Sequence, residues 1–179
     1  MIEITASEFY RQLKNENLNE NELQALVVKK LIPINKKVST AESCTGGLVS
    51  KRITEVSGSS SVFECGICSY ANRIKNKILG VDNETLNTVG AVSPETAAQM
   101  AEGVRKLADA DYGVSTTGIA GPTGATKDKP VGLVYFAVSS EKETLIIKGL
   151  LGDAKDNSRE GIRKTASSVI LYYLLKQIR

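Results

Sequence analysis

Val38–Gly47 reads VSTAESCTGG, a short run with β-branched residues that ends in a glycine pair and leads directly into LVSKRITEV. KKVSTAE has the composition of a short buried strand, and CTGGLVSKRITEV that of a helix whose first turn holds the two glycines. A strand that enters a helix through a glycine turn is the opening of an α/β unit, and the rest of the chain repeats the alternation. Downstream, the expected elements are a GSSS loop, a strand at VFECGICSY and a helix over ANRIKNKILG. After a further loop come a helix from Pro94 to Ala108 capped by Ser93, a strand at YGVSTTG and the loop IAGPTGATKDKP. VGLVYFAVSS and ETLIIKGLL, joined around Glu141 and Lys142, form a hairpin-like pair, and a long helix from about Asn157 to Ile178 closes the chain.

Upstream, Phe9, Leu13, Leu23, Leu26, Val27 and Leu31 recur mostly at helical spacing, so Ser7–Ile32 reads as a helix, or a pair broken around NENLNE, ended by Pro33. The fold expected is a three-layer α/β/α sandwich with a mixed, mostly parallel sheet of about five strands, because the late hairpin requires an antiparallel element. Residues 1–179 make a single domain, on which the helical segment 1–33 packs.

Composition removes several function classes. The chain is 41% hydrophobic and 24% charged with a net charge of +3. Acidic and basic residues are interspersed and form no basic stripe, so nucleic acid is not the favoured ligand. No apolar run approaches the roughly 20 residues of a membrane span. The N-terminal MIEITASEFYRQ lacks the apolar core of a signal peptide and the cysteines number three, which favours a reducing cytoplasm. Cys65 and Cys68 make a C-x-x-C, but zinc would need two further ligands and the chain has neither a second pair nor a histidine. They read as core-facing or edge thiols on a strand, and no metal or cofactor is expected.

Ligands of an open α/β sheet collect beyond the carboxyl ends of parallel strands. Three loops meet there: ESCTGG, SYANRIK and TGIAGPTG. The glycines of the first and third allow close backbone approach to an anion, which suggests a phosphate-bearing ligand. Neither loop has the lysine of a Walker A motif or the spacing of a dinucleotide fingerprint, which disfavours ATP hydrolysis and hydride transfer. Two nucleophiles are adjacent, Ser43 and Cys44. The thiol is intrinsically the stronger, and strand alternation points the two side chains to opposite sides. Ser43 could also simply cap the following helix.

AESCTGG, GSSSVFECG, SYANRIKNKILGV, TLNTVGAVSPETAAQMAEG, ADYGVSTTGIAGPTG and KPVGLVYFAV, in this order, resemble the C-terminal domain family of the competence/damage-inducible protein CinA, from about Val38 to the C-terminus. The resemblance implies a nicotinamide-mononucleotide deamidase: hydrolysis of the carboxamide to the carboxylate with release of ammonia, without a metal, on a small-molecule nucleotide substrate. It places the catalytic serine on Ser43 and its partners on Tyr70 and Lys75. A serine–lysine pair is an established substitute for serine–histidine, and a desolvated lysine can act as base near neutral pH. The resemblance assigns substrate contacts to Thr117, Gly118, Ile119, Ala120 and Gly121, with backbone N–H groups of Thr45, Gly46 and Gly47 as candidates for the oxyanion hole or the phosphate. Glu42 is either a ligand group or a structural carboxylate bonded to loop amides. The family's Gly-Asp-Arg appears as GDAKDNSRE, with Asp153 kept and the arginine displaced to Arg159. Arg159 and Lys155 both remain candidates to reach the ligand, and Arg163 matches a second family arginine. The family also implies homo-oligomers. The alternatives are a catalytically silent nucleotide-binding CinA-like protein serving a competence or DNA-repair assembly, and an amidase of the same mechanism on another substrate.

Overall fold

In the computed structural model, which describes residues 1–179, six strands form one sheet. They are β1 (Ile2–Thr5), β2 (Val38–Glu42), β3 (Phe63–Cys68), β4 (Tyr112–Gly118), β5 (Leu133–Ser139) and β6 (Thr144–Leu150), in the order β1-β6-β5-β4-β2-β3. β5 runs antiparallel to β4 and β6, and every other pairing is parallel. Helices α1 (Ala6–Asn15), α2 (Leu23–Leu31), α3 (Leu48–Thr54) and α7 (Arg159–Gln177) cover one face; α4 (Asn72–Leu79), α5 (Asn83–Thr88) and α6 (Pro94–Leu107) cover the other. The α/β/α sandwich and the mixed, mostly parallel sheet are as the strand–helix alternation requires.

The sheet has six strands where five were expected. The additional one, β1, is a four-residue edge strand in which Ile4 alone is buried, too short to show a period-two pattern. The first 33 residues are therefore strand followed by helices, rather than helical throughout. α5 occupies a stretch expected to be loop. α3 starts only at Leu48, because Gly46 and Gly47 take φ of +60° and +94° and form the turn itself.

Burial explains the sequence pattern. β2 lies between β4 and β3 and is buried at all five residues, which is why it reads as a run without alternation. β3 is the opposite edge, and its residues alternate between half-buried and exposed. α7 is buried at every residue from Thr165 to Leu174, so it forms the middle of its layer between the sheet and α2. The C-terminal ends of parallel β2, β3 and β4 meet at one edge of the sandwich, where their loops converge.

Candidate active site

Glu42 ends β2 and turns toward α3. It is 1% exposed, and its carboxylate accepts from the backbone N–H of Gly47 (2.9 Å), Val49 (3.1 Å) and Ser50 (2.8 Å) and from the hydroxyls of Thr45 (2.6 Å) and Ser50 (2.7 Å). The Thr45 proton is thereby committed to Glu42, so Thr116 Oγ1, 2.6 Å from Thr45 Oγ1, donates to it. Glu42 is thus the structural carboxylate of the two roles open to it, occupying the N-terminus of α3 that an external anion would otherwise take. The Gly47 amide, a candidate for substrate, is spent on Glu42. The Thr45 side chain is likewise buried in this network.

Ser43 follows on the opposite side of the strand, its N–H donating to Thr116 O at 2.9 Å. Its hydroxyl meets Lys75, whose Nζ is 3.2 Å from Ser43 Oγ, 2.6 Å from Ser69 O and 3.3 Å from Tyr70 O. Lys75 shares the buried face of α4 with Leu79, four residues on, and is 1% exposed with no carboxylate in an ion pair with it. Burial without a counter-charge holds its ammonium below the ordinary lysine range. The resemblance stated above, and no reading of helical periodicity, pointed to this lysine.

Cys44 turns back into the apolar core beside α3 and α7. Burial pushes its thiol up to about 12, so the helix-assisted thiolate does not form. Its neighbours Cys65 and Cys68 point to opposite faces of β3, half-buried and exposed respectively, as edge thiols do. No group of three or more His, Cys, Asp or Glu side chains is arranged to hold a metal ion.

The remaining expected residues divide. The backbone N–H groups of Cys44, Thr45 and Gly46 have no acceptor within the chain, as do those of Ala120 and Gly121. By contrast, the Ile119 amide donates to Leu133 O (2.9 Å), and Gly118 lies in the β4–β5 ladder. Thr117 is 1% exposed and its hydroxyl donates to Ala91 O at 2.6 Å, so it is not placed to bind a phosphate. The Tyr70 phenol stands away from the lysine: the side chain is exposed and accepts from Arg159 Nη2 at 3.3 Å, while Arg159 Nη1 donates to Gly121 O at 2.7 Å. It is the main-chain carbonyl of Tyr70 that holds Lys75. Of the two candidate cations, Arg159 is the one that reaches the site. Asp153 instead accepts from the N–H groups of Ala6 (2.8 Å) and Ser7 (3.1 Å) at the start of α1. Arg163 donates through Nε (3.1 Å) and Nη2 (2.7 Å) to Thr45 O, bracing the turn that carries the free amides. A model of the CinA C-terminal domain matches residues 20–178.

The chain belongs to the CinA C-terminal domain family. It is 46% identical over 161 residues to a CinA-like protein of Kosmotoga olearia and 45% identical over 161 residues to one of Desulfovibrio desulfuricans, covering 90% of this chain in each case. It spans 38% of the length of each of these curated relatives. Among solved structures, it resembles the competence/damage inducible protein CihA from Agrobacterium tumefaciens with a TM-score of 0.84 and 42% identity, covering 88% of this chain and 96% of that one. In this CinA-family chain, Ser69 is a site residue that sequence reasoning missed. Its carbonyl is the shortest contact of Lys75, and no residue pattern announces a backbone acceptor. No helix of the chain is long and apolar enough to cross a membrane.

Proposed function

We propose that this CinA-family chain hydrolyses the carboxamide of nicotinamide mononucleotide to the carboxylate and ammonia through an acyl-enzyme on Ser43. The observation that carries the reading is the buried, uncompensated Lys75 with its Nζ 3.2 Å from Ser43 Oγ. A neutral lysine has two N–H bonds and one lone pair. With the N–H bonds directed to the Ser69 and Tyr70 carbonyls, the lone pair faces the serine hydroxyl. Lys75 then takes the Ser43 proton as Oγ attacks the carboxamide carbon. The oxyanion is received by the free amides of Cys44, Thr45 and Gly46. The proton passes to the departing nitrogen, ammonia leaves, and water attacks the Ser43 ester with Lys75 again as base.

The phosphate finds support in a different place from the glycine amides. A cleft of about 650 Å³ between α2, α3 and α7 is lined by Arg52, Arg159, Arg163 and Lys164 against Glu55 and Glu160. Arg163 joins this cleft to the Ser43 turn and Arg159 joins it to the Gly121 loop, which suits a substrate with a cationic ring at one end and a phosphate at the other.

The test is ammonia release from nicotinamide mononucleotide by the purified chain. Ser43→Ala is expected to lower it by at least ~10³-fold, since the covalent route is lost. Cys44→Ala is expected to stay within about threefold, because an un-ionised buried thiol contributes no nucleophile. No ammonia from the wild-type chain, or a loss in Cys44→Ala that equals that in Ser43→Ala, would sink the reading.

A further inference from the structure

The connection from β4 to β5 is closed at its base by the Ile119 amide on Leu133 O (2.9 Å) and the Gly132 amide on Ile119 O (2.8 Å), and residues 120–131 loop out between them. Ala120 and Gly121 are buried, yet their backbone N–H groups have no acceptor within the chain. Buried amides without partners are uncommon, because the lost hydration is not replaced, so this pair points to an acceptor that arrives from outside. The pair is tied to the Ser43 site: Arg159 donates to both Gly121 O and the Tyr70 phenol, and the Tyr70 carbonyl holds Lys75. Every residue from Pro122 to Asp128 is exposed, so packing does not fix this part of the loop. Lys129 does. Its Nζ donates to Val89 O and to Val92 O, each at 2.8 Å, in the turn between α5 and α6, and no backbone N–H reaches either carbonyl. Val89 caps the C-terminus of α5, where carbonyls lack partners and a cation is favoured. Two residues on, Val131 Cγ1 lies 2.7 Å from where a Cβ on Gly121 would stand, so the two arms of the loop meet at the free amides.

We propose that Lys129 is a positioning residue for substrate binding, which pins the loop to the Val89–Val92 turn and so sets the Ala120 and Gly121 amides to donate to an oxygen of the nucleotide; this rests on the deamidase reading above. The loop is then held from both layers of the sandwich, by Lys129 on the α5–α6 side and by Arg159 on the α7 side. Lys129 acts through the loop, with its ammonium directed onto the turn. The Ala120 and Gly121 amides are separate from those of Cys44, Thr45 and Gly46, which receive the oxyanion in the proposed reaction. They hold the substrate alike before and during bond breaking, and contacts of that kind act on KM and leave kcat in place.

Steady-state kinetics of ammonia release from nicotinamide mononucleotide separate this role from a merely structural one, which would lower the melting temperature without moving KM. Lys129→Met keeps the length of the side chain and removes its donors. It is expected to raise KM by about tenfold or more, the scale of a lost hydrogen bond, with kcat within about threefold of wild type. Lys129→Arg retains a cationic donor and is expected to bring KM back to within about threefold of wild type. Hydrogen exchange reads the pin without any substrate: in Lys129→Met it should quicken across Ile119–Val131 and stay unchanged in β2 and α7. An unchanged KM in Lys129→Met, a fall in kcat in place of the rise in KM, or unchanged exchange across the loop would overturn the positioning role alone. Failure of the wild-type chain to release ammonia would overturn the deamidase reading and the binding role with it.

Discussion

Lys75 is the residue on which the proposed chemistry depends. A free lysine titrates near pH 10.4, so about four in ten thousand are neutral at pH 7. Burial lowers that value here, because the ammonium loses hydration and gains no carboxylate in return. In the proposed reaction the neutral form is the base, so kcat/KM is expected to rise with pH through the lowered lysine pKa and level off above it. Lys75→Arg keeps the charge but does not deprotonate in a useful range. Ammonia release by Lys75→Arg is expected to be nearly as low as that of Lys75→Ala, with the exposed Lys77→Ala as a control close to wild type. Near-normal turnover by Lys75→Arg would leave Ser43 without its base. Cys44, one residue from the proposed nucleophile, shows how strongly environment outweighs intrinsic reactivity. The better nucleophile is held inert by the core it fills.

At the scale of elements, the site is a turn held rigid from two sides. α3 is only seven residues long, and its helix start is organised by the Glu42 carboxylate, which the preceding strand delivers. From the other side, the Arg163 guanidinium on α7 holds the Thr45 carbonyl, within the turn whose Cys44, Thr45 and Gly46 amides have no acceptor in the chain. Glu42→Ala would leave buried donors on Thr45, Val49 and Ser50 without acceptors, at a cost on the order of 3 kcal/mol or more. Urea denaturation measures this as a lowered midpoint with an unchanged slope. Glu42→Gln retains one acceptor oxygen and is expected to lose less. A midpoint for Glu42→Ala equal to that of wild type would show that the carboxylate does not organise the turn.

Across the whole molecule, the N-terminal segment is sewn to the far end of the chain. β1 pairs with β6, and Asp153, just after β6, caps the first amides of α1. The family motif's aspartate thus serves the fold, while the displaced arginine serves the site through Tyr70 and Gly121. Asp153→Ala is expected to cost about 1 kcal/mol, as for a lost helix cap. Hydrogen exchange should quicken for the amides of Ile4–Phe9 and stay unchanged in β2 and β4. Ammonia release should be little affected, since no atom of Asp153 touches the Ser43 turn. Unchanged exchange in Ile4–Phe9 would remove this aspartate from the account of the fold.

The sequence by itself determined the class of the sandwich, the need for an antiparallel element and the resemblance to the family, and that resemblance implied the partnership of Ser43 with Lys75. These follow from periodicity, hairpin spacing and motifs of consecutive residues, all of which are local. Only the tertiary structure decided which donors were free. The Gly47 amide and the Thr117 hydroxyl look available in a one-dimensional reading, yet one is taken by a carboxylate five residues away and the other by a carbonyl 26 residues away. The Tyr70 phenol, the Ser69 carbonyl and the edge strand β1 were hidden for the same reason. A hydrogen bond is made by whichever partner the packing brings within about 3 Å, and that distance is set by the register of strands and helices remote in the chain.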